Sequence, residues 1–228
     1  MPVDGDRSLT LGRRERKKNQ TRELIAETAR RLFAERGFDH VSIAEIARQA
    51  DVSETTVFNH FRTKEDLVYW RMDTFEDELV GAIRRRAFGE SILTAFGRFV
   101  LAPRGLLAGT DPDAVEQLAG LTRMITASPA LLAREHEIMA RYTESLAALV
   151  ADETRARPGD VAPWVAANAL MGVHQALLAY TRAQIVAGTR NPALARAVRT
   201  QGRDALATLE RGLGDYGVHL TTGTEEDR

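Results

Sequence analysis

Apolar residues recur every three or four positions along nearly the whole chain, and this spacing most restricts what the chain can fold into. It places apolar side chains on one face of an α-helix, whereas a half-buried strand would alternate strictly between apolar and polar residues. No segment of the sequence shows that alternation. Glycine and proline interrupt the helical pattern at residues 89, 103–109, 111–112, 128–129, 157–159 and 188–192. We therefore predict an all-α fold in which these positions separate the helices.

Three helices are predicted in the first quarter of the chain. The first ends at Gly37, a residue type common just after a helix C-terminus. Ser42, followed three residues later by Glu45, predicts a capping box that opens a short second helix. Ser53 can cap a third helix over residues 54–60. Two short helices joined by a tight turn and preceded by a longer helix form a helix-turn-helix unit.

The third helix has an apolar and a polar side. Val57 and Phe61, four residues apart, are expected to face a small core with Ile43, Ile46 and Ala47. In a helix-turn-helix unit the second helix of the pair enters the major groove of DNA. Short polar side chains suit a helix that lies close to base edges. Those predicted on the outward side are Thr55, Thr56, Asn59 and His60. His60 packing on the fourth helix is an equally weighted alternative to a phosphate contact.

Positive charge is concentrated before the first helix. The chain has a net charge of -1, yet residues 13–22 hold six Lys and Arg against a single Glu. This basic arm could be a solvated tail, but its position beside the helix-turn-helix favours contact with the DNA backbone or minor groove, and thus salt-dependent affinity. Capping serines and a lysine after the third helix can add phosphate contacts. The predicted phosphate-binding residues are Arg16, Lys17, Lys18, Ser42, Ser53 and Lys64.

Residues 33–67, FAERGFDHVSIAEIARQADVSETTVFNHFRTKEDL, resemble the DNA-binding domain of TetR-family transcriptional regulators. Members of that family are all-helical homodimers with an N-terminal helix-turn-helix domain and a larger ligand-sensing domain. The resemblance implies a ligand-responsive regulator, most often a repressor, whose partners are pseudo-palindromic double-stranded operator DNA, a second copy of the chain and a small effector. It implies no cofactor, no metal and no membrane partner.

Two residues depart from the family pattern. The family often has Tyr where this chain has Phe58, and that hydroxyl commonly meets a phosphate. Phe58 cannot make that bond, so we expect it to contact DNA through apolar atoms, against a thymine methyl or a sugar. Asp51 replaces the small residue that is frequent in the turn and places a negative charge near the DNA.

A long fourth helix is predicted to open at residues 64–66, and the boundary between the two predicted domains falls near residues 64–70, inside this helix or at its start. The last helix is expected to run from about residue 192 to residue 213. We predict a disordered N-terminus at 1–12, the helix-turn-helix domain with its basic arm at 13–66, a ligand-binding and dimerisation domain at 67–214 and a polar tail at 215–228.

Residues 163–188 are apolar on nearly every face, which is typical of a helix buried on both sides. In the family the last two long helices form a four-helix bundle with their dimer mates. Small residues permit close approach of the helices. The residues predicted at the dimer interface are Ala166, Ala169, Gly172, Ala176, Leu206 and Leu209.

An interior pocket is predicted from apolar and aromatic residues with a few polar groups, as a lipophilic ligand requires. Asn168 and Gln175 can be either core amides or ligand contacts, and Arg123, Arg134 and Arg141 can pair with an acidic head group. The large domain weakly resembles an actinobacterial subgroup of the family, and for some members of that subgroup the resemblance implies a fatty acyl-CoA-like ligand. The predicted pocket residues are Phe96, Phe99, Met124, Leu132, His136, Met139, Tyr142, Trp164, Asn168, Met171 and Gln175.

Two other classes of function were weighed. The sequence has no cysteine and no nucleophile-elbow, P-loop, dinucleotide or zinc-protease motif, and its five histidines are scattered, so we expect no enzyme. A DNA-binding protein controlled by partner proteins is the other alternative. The sequence shows no signal peptide and no run long enough to span a bilayer, and we expect a cytoplasmic protein.

Overall fold

The structure is a computed structural model that describes residues 5–70, 72–108 and 114–212, and it contains helices and turns but no strand over those ranges. The all-α prediction is confirmed. Two 3-10 helices lie at Glu65–Leu67 and Gly105–Ala108. The α-helices are α1 (Gly5–Arg36), α2 (Ile43–Gln49), α3 (Glu54–His60), α4 (Met72–Arg84), α5 (Ile92–Val100), α6 (Ala114–Ala127), α7 (Pro129–Thr154), α8 (Ala162–Val186) and α9 (Ala193–Arg211).

The first three helices enclose the predicted small core. Val57 and Phe61 are buried against α2, where Ile46 and Ala47 are also buried and Ile43 is partly covered. Both serine caps form as well. The Ser42 hydroxyl accepts the amide of Glu45 at 3.2 Å, and the Ser53 hydroxyl accepts that of Thr56 at 3.1 Å.

In the capping box of α2, the Ser42 side forms as predicted, whereas the Glu45 carboxylate pairs with the Arg36 guanidinium across the turn. The turn between α2 and α3 passes through Asp51, whose φ of 53° lies in the left-handed region. Glycine adopts that region at no steric cost, and aspartate is among the residues that tolerate it. This conformation accounts for a small or acidic residue at the turn.

Three predicted boundaries differ from the structure. Helix α1 begins at Gly5, so residues 5–12 are helical where disorder was predicted; Arg, Glu, Lys and Leu there and beyond are good helix formers. The fourth helix begins at Met72, after the separate 3-10 helix at Glu65–Leu67. The last helix ends at Arg211. Residues 1–4, the predicted break at 111–112 and the predicted tail at 215–228 lie outside the described residues.

The larger domain is built on α7 and α8, which pack against each other. The two helices lie antiparallel, as the pairing of Glu135 near the start of α7 with Arg182 near the end of α8 shows. Helix α9 packs on α8 and crosses α5 closely at glycines. A Cβ atom added at Gly202 would lie 2.4 Å from Leu101 Cδ2, and one at Gly97 would lie 2.7 Å from Leu206 Cδ1. A side chain at either position would force the facing leucine to move, so glycine suits this close packing.

The two ends of this bundle are distinct. At the end next to the three helices α1 to α3, the Tyr69 hydroxyl donates to the Leu131 carbonyl at 3.0 Å. At the opposite end Arg86 pairs with Glu153 at 2.6 Å. None of the helices in the described ranges combines the length and the apolar character needed to cross a membrane.

Candidate nucleic-acid interface and interior site

The outward face of α3 is formed by Thr55, Phe58 and Asn59, all of which are exposed. Phe58 is 52% exposed, whereas its neighbour Val57 is fully buried. The sequence alternation of apolar and polar residues over one helical turn produces this division, because positions 57 and 61 share one side of the helix. Three side chains of different chemistry are thus presented together to the solvent.

Thr56 does not belong to that free face. Its hydroxyl lies 2.8 Å from the Ser53 hydroxyl, while its amide donates to the same Ser53 oxygen. Thr56 is also partly buried. The prediction that Thr56 reads a base is therefore not supported by its position, since its polar group already completes the N-terminal cap of α3.

His60 turns towards α1. Burial, together with the nearby Lys18 ammonium and Arg22 guanidinium, lowers the pKa of His60, and its Nδ1 atom is buried with no partner in the described part of the chain. Arg22 also lies over the Phe61 ring, 5.5 Å from its centroid. This geometry favours the packing alternative for His60, with α1 as its neighbour in place of the expected fourth helix.

Lys64 lies over an aromatic side chain of the core. Its Nζ atom is 4.2 Å from the Phe38 ring centroid and 5.8 Å from that of Phe33, both cation–π distances. Burial lowers its pKa, and the nearby Asp39 and Glu65 carboxylates oppose that shift. Lys64 is thus already in contact with the core of the three-helix unit, and its phosphate contact stays a prediction.

The basic segment is a helix and not a flexible arm. Arg16, Lys17 and Lys18 are exposed on α1, and the Arg16 guanidinium donates to the Gly12 carbonyl at 3.0 Å. The proximity of Lys18 to His60 places this segment beside the C-terminal end of α3. The cations and the outward face of α3 are therefore positioned by the same rigid three-helix unit.

An aromatic cluster occupies the interior of the larger domain. The Phe75 ring centroid lies 5.3 Å from that of Phe99, 5.6 Å from that of Tyr142 and 5.0 Å from that of His174. Burial lowers the pKa of His174 to about 4, and the Glu135 carboxylate acts in the opposite direction. His174 is therefore neutral at physiological pH.

A partly buried ion pair borders this cluster on the side of the three-helix unit formed by α1 to α3. The Arg182 guanidinium donates to both oxygens of Glu135, at 2.9 and 2.5 Å. Burial, followed by the charge of Glu135, raises the pKa of Tyr69. Apolar residues, one neutral imidazole and one ion pair thus occur together, which is a composition suited to an amphipathic ligand.

The predicted pocket residues fall into three groups. Phe96, Phe99, Met139, Tyr142 and Met171 are buried, and Met124 and Leu132 are partly buried. The prediction fails for the exposed residues, which cannot line an interior pocket of one chain. These are His136, Trp164, Asn168 and Gln175.

The stripe of α8 that was expected to form one wall of the pocket is divided between the core and the surface. Met171 faces the core, whereas Trp164 and Asn168 lie outside, with the Asn168 amide donating to the Trp164 carbonyl at 2.7 Å. Sequence reasoning missed Phe75, Glu135, His174 and Arg182. The useful signal was a histidine and an arginine inside the apolar sequence of α8.

The arginines proposed for an acidic head group have other roles. Arg134 pairs with Asp66 at 2.8 Å and with Glu137 at 2.7 Å, and Arg141 pairs with Glu76 at 2.7 Å. Arg123 is exposed. A surface groove of about 650 Å3 between α4 and α7 contains Glu76 but none of the predicted pocket residues.

Part of α8 presents apolar surface to the solvent. Trp164 is 49%, Val165 64% and Val186 77% exposed, and Gly172 and Ala176 lie on the same open side. Exposed apolar residues along one helix are typical of a surface that another chain covers. Of the other predicted interface residues, Ala166, Ala169, Leu206 and Leu209 are partly buried within the chain itself.

Comparison with known proteins finds one matching family model and several related transcriptional regulators. Residues 25–69 match the model of the family described as bacterial regulatory proteins, tetR family. The transcriptional regulator TcmR of Streptomyces glaucescens is 27% identical over 60% of this chain, and the match spans 63% of TcmR, less than two thirds of its length. The transcriptional regulator MftR of Mycobacterium tuberculosis is 28% identical over 72% of this chain and 80% of its own length.

A solved structure shares the fold. The crystal structure of native NalD, the secondary repressor of the MexAB-OprM multidrug efflux pump in Pseudomonas aeruginosa, aligns with a TM-score of 0.53 and 22% identity. The alignment covers 85% of this chain and 97% of NalD. The chain therefore shares its fold with NalD, and at this identity the likeness concerns the fold alone.

Proposed function

Because this chain belongs to the TetR family of bacterial regulatory proteins, we propose that it is a ligand-responsive, sequence-specific DNA-binding transcriptional repressor. One observation carries the proposal. A short helix, α3, exposes Thr55, Phe58 and Asn59 while its other side is buried in the three-helix core. The cations of α1 lie at the end of that helix, where they can neutralise phosphates and fix the register of α3 in the major groove.

The proposed contacts divide by chemistry. Thr55, Phe58 and Asn59 meet base edges, and Arg16, Lys17 and Lys18 meet phosphates. The exposed hydroxyls of Ser42 and Ser53 add polar contacts to the backbone. Thr56 acts through the cap of α3 and His60 through packing on α1, so both have supporting roles.

Two copies of the chain are proposed to act together. The exposed apolar side of α8, with Trp164, Gly172 and Ala176, meets the same surface of a second copy. A twofold dimer presents two α3 helices to successive major grooves, about 34–36 Å apart on a pseudo-palindromic operator. A single copy of the chain has one exposed α3 helix and can contact only one half-site of the operator.

The effector is proposed to be lipophilic, of the acyl-CoA-like class that the sequence resemblance implies. Its apolar part would lie against Phe75, Phe99 and His174, and the Glu135–Arg182 pair would meet a polar group. A ligand shifts an equilibrium only through its different affinity for the two states. Insertion between α4 and α7 would move α4, which follows directly on the DNA-binding domain.

Binding of an operator with and without effector tests this function. DNA selected from a random library by the purified protein is labelled and titrated with the protein, in the presence of palmitoyl-CoA, oleoyl-CoA or free CoA. A specific complex that palmitoyl-CoA or oleoyl-CoA releases, and free CoA does not, supports the proposal. A specific complex that none of them changes favours control by partner proteins. Failure to select any preferred sequence contradicts sequence-specific DNA binding.

A further inference from the structure

We infer that Phe58 reads the C5 methyl group of a thymine in each half-site. The inference rests on the proposed function, because it concerns how the outward face of α3 distinguishes one operator from another. Phe58 is 52% exposed, and none of its ring atoms takes part in an aromatic or cation–π contact with the described residues. A side chain that the fold leaves free on a DNA-facing helix is available for recognition.

The polar groups near Phe58 restrict what the face can read. Thr56 is held in the α3 cap, His60 faces α1, and Lys64 lies over Phe38. The remaining exposed residues of α3 are Glu54 in its first turn, Thr55 one turn before Phe58, and Asn59 directly after Phe58. The groups next to Phe58 that suit base contacts are the Thr55 hydroxyl with its methyl and the Asn59 amide.

Chemistry assigns a base feature to the ring. In the major groove thymine is the only base with a methyl group, and Phe and the Thr methyl are side chains that contact it. Phe58 and the γ-methyl of Thr55 are three residues apart, so they lie side by side on the helix surface. Asn59 next to them suits adenine, whose N6 amino group donates to the amide oxygen while its N7 accepts from the amide nitrogen.

A phosphate contact does not fit this ring. Phenylalanine has no hydrogen-bond donor, and burial of its ring against a charged oxygen would desolvate the phosphate without compensation. A deoxyribose contact is chemically possible, but it would be insensitive to the base methyl. An experiment that removes the methyl group alone therefore distinguishes a thymine-methyl contact from a deoxyribose contact.

The test uses operator DNA selected from a random library by the full-length protein. Each thymine of a half-site is replaced in turn by deoxyuridine, which keeps base pairing and removes only the C5 methyl. Affinity is measured by fluorescence anisotropy at one fixed salt concentration. We expect one position per half-site at which the replacement weakens binding about fourfold, the value for one buried methyl group. Replacement in both half-sites should weaken binding about fifteenfold.

Variants link that position to Phe58. Phe58→Ala should bind the thymine operator more weakly and should bind the thymine and deoxyuridine operators equally. Phe58→Leu, which keeps apolar volume, should retain part of the difference. Phe88→Ala is the matched control, because Phe88 is a fully exposed phenylalanine in the loop after α4, at the end of the bundle that carries the Arg86–Glu153 pair. Phe88→Ala should change the affinity for neither the thymine operator nor the deoxyuridine operator.

The outcomes are separable. If a preferred operator is selected but no thymine is sensitive to deoxyuridine, or the sensitivity is unchanged in Phe58→Ala, the ring does not read a methyl group and the inference is wrong, while the proposed function stands. If no preferred sequence is selected, the proposed function and the inference are both wrong. Because Phe58 is exposed, thermal unfolding of each variant should match that of the unmodified protein.

Discussion

The carboxylate of Asp66 joins the DNA-binding domain to the larger domain through Arg134. Asp66 Oδ1 lies 2.8 Å from Arg134 Nη2 in α7, and Asp66 Oδ2 accepts the amide of Thr63 at 3.1 Å. The Thr63 hydroxyl in turn accepts the amide of Asp66 at 3.3 Å. The segment directly after α3 is therefore fastened to the start of α7 by a partly buried, charge-assisted contact.

Removal of this contact should weaken the connection between the domains. Arg134→Met keeps most of the side-chain volume but removes the charge, and we expect it to lower the free energy of unfolding by about 1–2 kcal/mol. Urea unfolding at constant protein concentration measures the change. Glu137→Gln is the control, because Glu137 is an exposed second partner of Arg134, and we expect a change below about 0.5 kcal/mol. Equal losses in the two variants would contradict a special role for Asp66.

His174 should make stability depend on pH. Burial lowers its pKa from 6.5 to about 4, so the unfolded chain binds a proton between these values and the folded chain does not. The contribution of the neutral His174 to the free energy of unfolding is fully present above pH 6.5. It is lost as the pH falls towards 4, on the order of 3 kcal/mol in total. His174→Gln should flatten this part of the stability curve, measured by urea unfolding at pH 7, 6 and 5. His136→Gln, at an exposed histidine of α7, should leave the curve unchanged.

The cations of α1 and the amide of α3 should affect DNA binding in different ways. Lys17→Ala should reduce the slope of log K against log salt by about 2 per dimer, because each copy loses one phosphate contact. Asn59→Ala should lower affinity for the selected operator by about 1–3 kcal/mol and leave binding to random DNA unchanged. Titrations at four salt concentrations on both DNAs distinguish the two. A uniform loss from both variants on both DNAs would show that Asn59 does not read a base.

A charge on the open side of α8 should separate the two copies. Gly172→Arg places a long cation where an added Cβ meets no other atom within 4 Å of the single chain, so the monomer should fold normally. In a close helix contact the same side chain would be excluded, and sedimentation velocity should show a monomer with weakened operator binding. Ala133→Arg, at an exposed alanine of α7, should remain dimeric. A dimeric Gly172→Arg protein would place the interface elsewhere.

Local sequence signals determined the DNA-binding domain. Ser42 and Ser53 cap α2 and α3, and the four-residue step from Val57 to Phe61 sets which side of α3 is buried. These features depend on backbone groups and side chains a few residues apart, so they can be predicted from the chain alone. The same reasoning could not show that the Thr56 hydroxyl is hydrogen-bonded to the Ser53 hydroxyl or that the Lys64 ammonium lies over the Phe38 ring.

The interior of the larger domain was decided by tertiary packing. Helix α8 is apolar on nearly every face, so its sequence does not say which side meets α7 and α9 and which side is open. Met171 lies inside and Gln175 outside, and His174 of α8 meets Phe75 of α4, which is about a hundred residues away in the chain. The sequence by itself determined the helices, their caps and the chemistry of α3. Only the tertiary structure decided which residues share the core, since that depends on contacts between segments far apart in the chain.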